Sequence, residues 1–169
     1  MDCISIGAKN VGKELMSIPS FEETSNDIFS EFKVVLKNLK KIILMVAGTA
    51  SEKLGIKIAE EQELMMNISE MIIDTYMLES ALLKTEKLTS KEGPIKNQER
   101  ISMCINFLHS TIDKFQKNGK EAIYALSEGD EQKILLLGLK RFTKVKPDNL
   151  KEHRRSIAKK LIEENLYCF

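Results

Sequence analysis

Glu70 and Asp74 stand four residues apart, one turn on a helix, and two carboxylates at that spacing are the minimum equipment for acid–base chemistry or a bridged metal. They belong to EEQELMMNISEMIIDTYMLESALLKTEK (Glu60–Lys87), which alternates acids with large apolar side chains. A di-iron centre in a helical bundle needs Glu-x-x-His pairs on two helices and a carboxylate from each of two others. The chain has 2 histidines, and the residues three places before them are Asn106 (for His109) and Leu150 (for His153), which excludes a ferritin-like site. The remaining reading is a water-facing stripe, with Glu60, Glu61 and Glu63 complementing the positive end of a helix dipole. On that reading, changing Glu70 to Gln and Asp74 to Asn is silent.

Nucleophilic chemistry finds no better footing. Cys104 and His109 are five residues apart, which turns them about 140° away from each other on a helix. Cys104 reads as a small core side chain and His109 as a core-edge residue beside Ile105, Leu108 and Ile112. No glycine-rich phosphate cradle follows a strand, because no segment alternates with the period of a strand.

The basic segment offers binding rather than catalysis. Lys140, Arg141, Lys144, Lys146, Lys151, Arg154, Arg155, Lys159 and Lys160 face only Asp148 and Glu152 in the same span. They form a solvated face or a docking face for an acidic protein surface, a phosphorylated ligand or membrane phosphates. Nucleic acid is disfavoured, because the interleaved aromatics of single-strand binders are missing. The methionines around Met65, Met66, Met71 and Met77 suit core gaps or an adaptable partner surface.

The elements that hold these residues follow from apolar spacing. Residues 1–23, with Gly7, Gly12 and Pro19, read as an irregular lead-in, and 24–169 as one helical bundle. Thr24–Asp27 supplies helix-starting oxygens, and a helix over 26–54 follows. Its seam runs through Phe29, Phe32, Leu36, Leu39, Ile43, Val46 and Ala50, widened by Ile28, Val35 and Ile42. In the acid-rich helix, Leu64, Ile68, Met71, Ile72, Thr75, Leu78 and Leu82 share a face. Met65, Met66, Ile73, Tyr76 and Met77 extend apolar surface around it, predicting burial on more than one side.

Thr89–Pro94 marks a turn, with Pro94 in the first turn of a third helix carrying Ile101, Cys104, Ile105, Leu108, Ile112 and Phe115. Asn118-Gly119 is expected to break or bend that helix before Ile123–Leu126. After Ser127–Asp130 a fourth helix buries Ile134, Leu135, Leu137 and Phe142 and stops at Pro147. A capping box of Asn149 and Glu152 starts the last helix, which buries Ile157, Leu161 and Ile162 before the apolar Tyr167–Phe169. The expected fold class is all-α: a mainly antiparallel bundle of four to five helices.

Composition sets the outer bounds. At 169 residues the chain is long enough for one domain with a full core, and 43% hydrophobic with 30% charged residues suits a helical protein. Its 3 cysteines, Cys3, Cys104 and Cys168, have neither disulfide nor zinc spacing and point to a reduced, cytoplasmic protein. The longest apolar run, Ile42–Ala47, is far too short to span a membrane, and residues 1–16 lack the apolar core of a signal peptide.

Four segments carry a family resemblance: KELMSIP (Lys13–Pro19), the Glu60–Lys87 stretch, LLLGLKRFTK (Leu135–Lys144) and the ending ENLYCF. Together they resemble the C-terminal extension of bacterial acyl-CoA dehydrogenases, closest to the Bacteroidetes type. The likeness to the extra helical domain of very-long-chain acyl-CoA dehydrogenase is more distant. The resemblance spans Lys13–Phe169. It implies a parent enzyme that dehydrogenates fatty acyl-CoA with FAD in β-oxidation, its cofactor and catalytic glutamate lying upstream. Here it implies a non-catalytic accessory domain or fragment with no FAD of its own, whose partners are the catalytic domains or a second copy of itself. The alternative expectation is a stand-alone adaptor or membrane-surface module using the basic 140–160 face.

Overall fold

The computed structural model describes residues 28–166. Among these, five α-helices follow one another: α1 (Ile28–Leu54), α2 (Gln62–Glu92), α3 (Gln98–Leu126), α4 (Gly129–Phe142) and α5 (Leu150–Glu164), with a 3-10 turn at Gly55–Glu60 between the first two. No strand occurs among the described residues, so the all-α bundle is confirmed. Thr24–Asp27 and Tyr167–Phe169 lie outside the described residues, as does the 1–23 lead-in.

The α2–α3 hairpin forms the centre. On α2 the buried residues Leu64, Ile68, Met71, Thr75, Leu78, Leu82 and Thr85 step by fours and threes, a narrow apolar line. The two threonines enter that line without an unsatisfied hydroxyl, because Thr75 donates to the Met71 carbonyl (2.8 Å) and Thr85 to that of Ala81 (2.9 Å). Cys104 on α3 sits 6% exposed, its sulfur 3.1 Å from the Thr85 hydroxyl. Burial pushes the Cys104 thiol above its usual range, against a smaller lowering by the Thr85 hydrogen bond.

The hairpin turn is fixed by Asn97, which is fully buried. Its side-chain amide donates to the carbonyls of Gly93 (2.9 Å) and Leu88 (3.4 Å). Gly93 takes φ 86°, a backbone state that glycine enters at little cost. Pro94 lies in this turn and α3 starts only at Gln98, so the proline does not occupy the helix's first turn.

α1 crosses α2, α3 and α4. Its buried residues are Phe32, Leu36, Leu39, Ile42, Met45, Val46 and Ala50, with Phe29, Val35 and Ile43 only packed at the edge. The expected seam holds at Phe32, Leu36, Leu39, Val46 and Ala50; between Leu39 and Val46 the fully buried residue is Ile42, expected only to widen it, while Ile43 lies at the edge. A strict 3.5-residue repeat drifts on a straight helix, and α1 is covered by more than one neighbour, so the buried line shifts by one position there. Lys33 and Lys40 of α1 pair with Glu86 and Glu79 of α2, and Lys53 caps the end of α3 through the Leu126 carbonyl (2.9 Å) while meeting Glu131 of α4.

α3 runs unbroken from Gln98 to Leu126, through Asn118-Gly119. The expected break does not occur because Gly119 serves packing: a Cβ there would stand 2.8 Å from Leu139 Cδ1 on α4. On α4 the buried residues are Leu135, Gly138, Leu139 and Phe142, while Ile134 and Leu137 point out, 55% and 65% exposed. The helix ends at Phe142, before Pro147 can act, with Thr143 donating its N–H to Leu139 (3.0 Å).

The last helix also differs from expectation. Asn149 makes no side-chain cap; instead the Asp148 carboxylate accepts the Asn149 N–H (2.6 Å). No residue of α5 is fully buried: Ile157 is half-buried, Leu161 is at the exposed margin and Ile162 is 77% exposed. α5 lies on the surface of α3.

Candidate functional site

Glu70 and Asp74 lie one turn apart on α2, close enough for the charge of Glu70 to act on Asp74. Asp74 Oδ2 is buried without a hydrogen-bond partner. Its carboxyl is raised above the ordinary value, first by burial and further by Glu70, with Lys114 opposing. Among the described residues no group of three or more His, Cys, Asp or Glu is placed to hold a metal ion. The raised value alters the expectation of silence. A carboxyl raised in the fold favours the native state fully below pH 3.8, and that contribution is lost as pH climbs through the folded value. Asp74→Asn is therefore expected to stabilise the protein at neutral pH, and urea melts should show the gain vanish in acid.

One arrangement escaped the sequence reading. Asp148 Oδ2 lies 3.2 Å from His153 Nε2, and His153 Nδ1 lies 3.0 Å from Ser102 Oγ. Carboxylate, imidazole and hydroxyl stand in the order of a charge-relay triad. Ser102 is only 4% exposed, enclosed where α5 meets α3. The three groups act as a latch that ties α5 to the hairpin. Ser102 and His153 are 51 positions apart on different helices, and no spacing rule links them. Burial pushes Asp148 up, but the Asn149 N–H, the His153 hydrogen bond and the charges of His153 and His109 outweigh it and hold the carboxyl low. A depressed carboxyl stabilises the fold above its ordinary pKa of 3.8 and loses that effect as pH falls through the lower folded value. Asp148→Asn should therefore lower the melting temperature at neutral pH, with the two curves converging as pH falls through the lower folded value.

Cys104 and His109 point apart as expected. Cys104 meets α2, whereas His109 lines an open cleft of about 690 Å³ with Ile112, Asp113, Leu137 and the cations Lys140, Arg141 and Lys144. At the cleft, Gln116 donates to the Thr143 hydroxyl (2.9 Å), which donates to the Leu139 carbonyl (2.7 Å). The basic segment is thus divided. Its α4 half rims the cleft, while on α5 Lys151 and Arg155 pair with Glu152, Lys159 with Glu163, and Lys160 with Glu99. Lys146 and Arg154 are exposed. No described helix is long and apolar enough to cross a membrane.

The outer face of α2 is the other notable surface. Burial on several sides was expected, yet Met66 (64% exposed), Ile73 (53%), Tyr76 (67%) and Met77 (52%) face outward, as does Ile72. Scattered exposed apolar residues are ordinary, but a contiguous run on one helix face marks a contact surface.

Residues 38–141 match the family described as "Acyl-CoA dehydrogenase, C-terminal domain". The chain is 31% identical over 160 residues to a probable acyl-CoA dehydrogenase of Bacillus subtilis, covering 95% of this chain and 27% of that protein. It also superposes on an acyl-CoA dehydrogenase complexed with FAD from Bacillus anthracis with a TM-score of 0.89 and 31% identity, covering 98% of this chain and 28% of that one. The chain therefore spans little more than a quarter of the length of these relatives. A bundle that matches across its length, and a family match over α1 to α4, settle the assignment: the chain belongs to the acyl-CoA dehydrogenase C-terminal domain family.

Proposed function

We propose that this chain is a non-catalytic accessory domain of an FAD-dependent acyl-CoA dehydrogenase of fatty-acid β-oxidation, working in the cytoplasm. It packs on a catalytic body and helps subunits associate. The observation that carries the reading is the match of nearly the whole chain to only 28% of an FAD-bound relative, so the bulk of that relative has no counterpart here.

The packing of the bundle interior supports a chain without FAD of its own. An isoalloxazine ring needs a deep apolar slot, and the bundle interior is filled: Leu39, Ile42, Phe115 and Ile123 are fully buried and a single added carbon at Gly119 meets Leu139. The cations at the cleft suit a docking contact instead. Lys140, Arg141 and Lys144, with Lys146 beyond them, would meet acidic groups on the body, steering and orienting the contact more than tightening it.

The test is direct. Purified chain incubated with FAD and desalted should be colourless, and it should reduce no electron acceptor with any acyl-CoA. Stoichiometric flavin would refute the reading. A second reading, a membrane-surface or adaptor module, rests on the same cluster of cations at the cleft. Binding to anionic vesicles that fades with salt, and is lost on changing Lys140, Arg141 and Lys144 to Ala, would favour it.

A further inference from the structure

The exposed face of α2 has an order that a general apolar surface lacks. Advancing about 100° per residue, the residues from Met66 to Leu83 place their exposed uncharged side chains within a sector of about 140°, roughly 26 Å long. No charged residue between these ends enters that sector. Glu70 and Asp74 fall to one side of it, and Glu79 on the other pairs with Lys40.

The order is palindromic. About the midpoint between Asp74 and Thr75, Ile73 mirrors Tyr76, Ile72 mirrors Met77, Ser69 mirrors Ser80 and Met66 mirrors Leu83. Large apolar groups fall opposite large apolar groups, and serine opposite serine. All eight are exposed. The Ser80 hydroxyl already donates to the Tyr76 carbonyl (2.8 Å), so covering it leaves no donor stranded.

The ends of the helix add a second, independent match. Glu60, Glu61 and Glu63 crowd its start, and Lys84, Lys87 and Lys91 stand at its finish, where Glu86 and Glu92 are already engaged by Lys33 and by Lys96 and Arg100. A second α2 laid antiparallel brings the basic finish of one copy to the acidic start of the other and opposes the two helix dipoles. Parallel pairing would set acids on acids.

We infer that α2 is a two-fold self-association surface, and that its partner is the α2 of a second copy of this chain, antiparallel and centred between Asp74 and Thr75. Such a contact is isologous: every residue that touches is itself touched by its mirror position. The inference deepens the subunit-association part of the reading above and rests on it for purpose, while its geometry needs only this chain.

Sedimentation equilibrium of the full chain should show a reversible dimer. Ile73→Glu with Tyr76→Glu should weaken it about tenfold or more without changing the helical circular dichroism. Lys84→Glu with Lys87→Glu should weaken it as well, and adding Glu61→Lys and Glu63→Lys to the same chain should restore it. In a Cys3→Ser, Cys168→Ser background, a short bis-maleimide should join a Ser69→Cys chain to a Ser80→Cys chain far faster than it joins two Ser69→Cys chains. A monomer at all concentrations overturns the inference, including one captured only by a catalytic body. So does a dimer indifferent to the α2 changes, or preferential linkage of Ser69→Cys to itself. Flavin bound to the chain would overturn the accessory-domain reading and leave this dimer standing; a monomer does the reverse.

Discussion

Leu39→Ala should lower the unfolding free energy by about 2–5 kcal/mol, read from the midpoint of a urea or guanidinium melt. Leu39 is fully buried on α1, in the line that also holds Leu36 and Ile42. Truncation removes the transfer energy of its outer carbons and leaves a cavity that neighbours on other helices cannot all move to fill. Ile43→Ala is the internal control. Ile43 lies at the edge of the core, so water takes the vacated space and the loss should be clearly smaller. Equal losses at the two positions, or a loss at Leu39 within about half a kcal/mol, would contradict the burial of Leu39 and the edge position of Ile43.

Gly119→Leu should be comparably damaging, costing about 1–3 kcal/mol through forced separation of α3 and α4. The added Cβ alone would stand 2.8 Å and 3.2 Å from the two terminal carbons of Leu139, which is 1% exposed and would have to shift within the core. Gly119→Ala is gentler, because alanine recovers about 1 kcal/mol of helix propensity against the same clash. The decisive comparison is a double-mutant cycle. Leu139→Ala destabilises by itself, yet combined with Gly119→Ala it removes the clash, so the double variant should be more stable than the sum of the single effects. Strict additivity would show that the two positions do not touch.

Both cases mark the limits of what apolar spacing conveys. The buried line of α3 was legible because its neighbours off the line are mostly polar, leaving a clear 3-and-4 rhythm. In α1 the rhythm was ambiguous: Ile42 and Ile43 are the same residue type side by side, and only the placement of the covering helices selects the first. Gly119 was read as a breaker because a sequence does not show what stands opposite, here Leu139 on another helix. On α2 the error ran the other way. Ile72, Ile73 and Tyr76 are as apolar as core residues, but apolarity records that a side chain is meant to be covered, not that its own chain supplies the cover. The basic segment was legible as charge and not as shape, since the pairing of Lys160 with Glu99 and of Lys151 with Glu152 depends on how α5 is placed and turned. The Ser102–His153 contact joins two helices and had no local signature at all.

The contact between Cys104 and Thr85 gives the hairpin a built-in clock. A thiol that is enclosed and carries little thiolate reacts with an alkylating reagent only while α2 stands away from α3, so the rate of modification at that one sulfur times the parting of the two longest described helices, without any engineered probe.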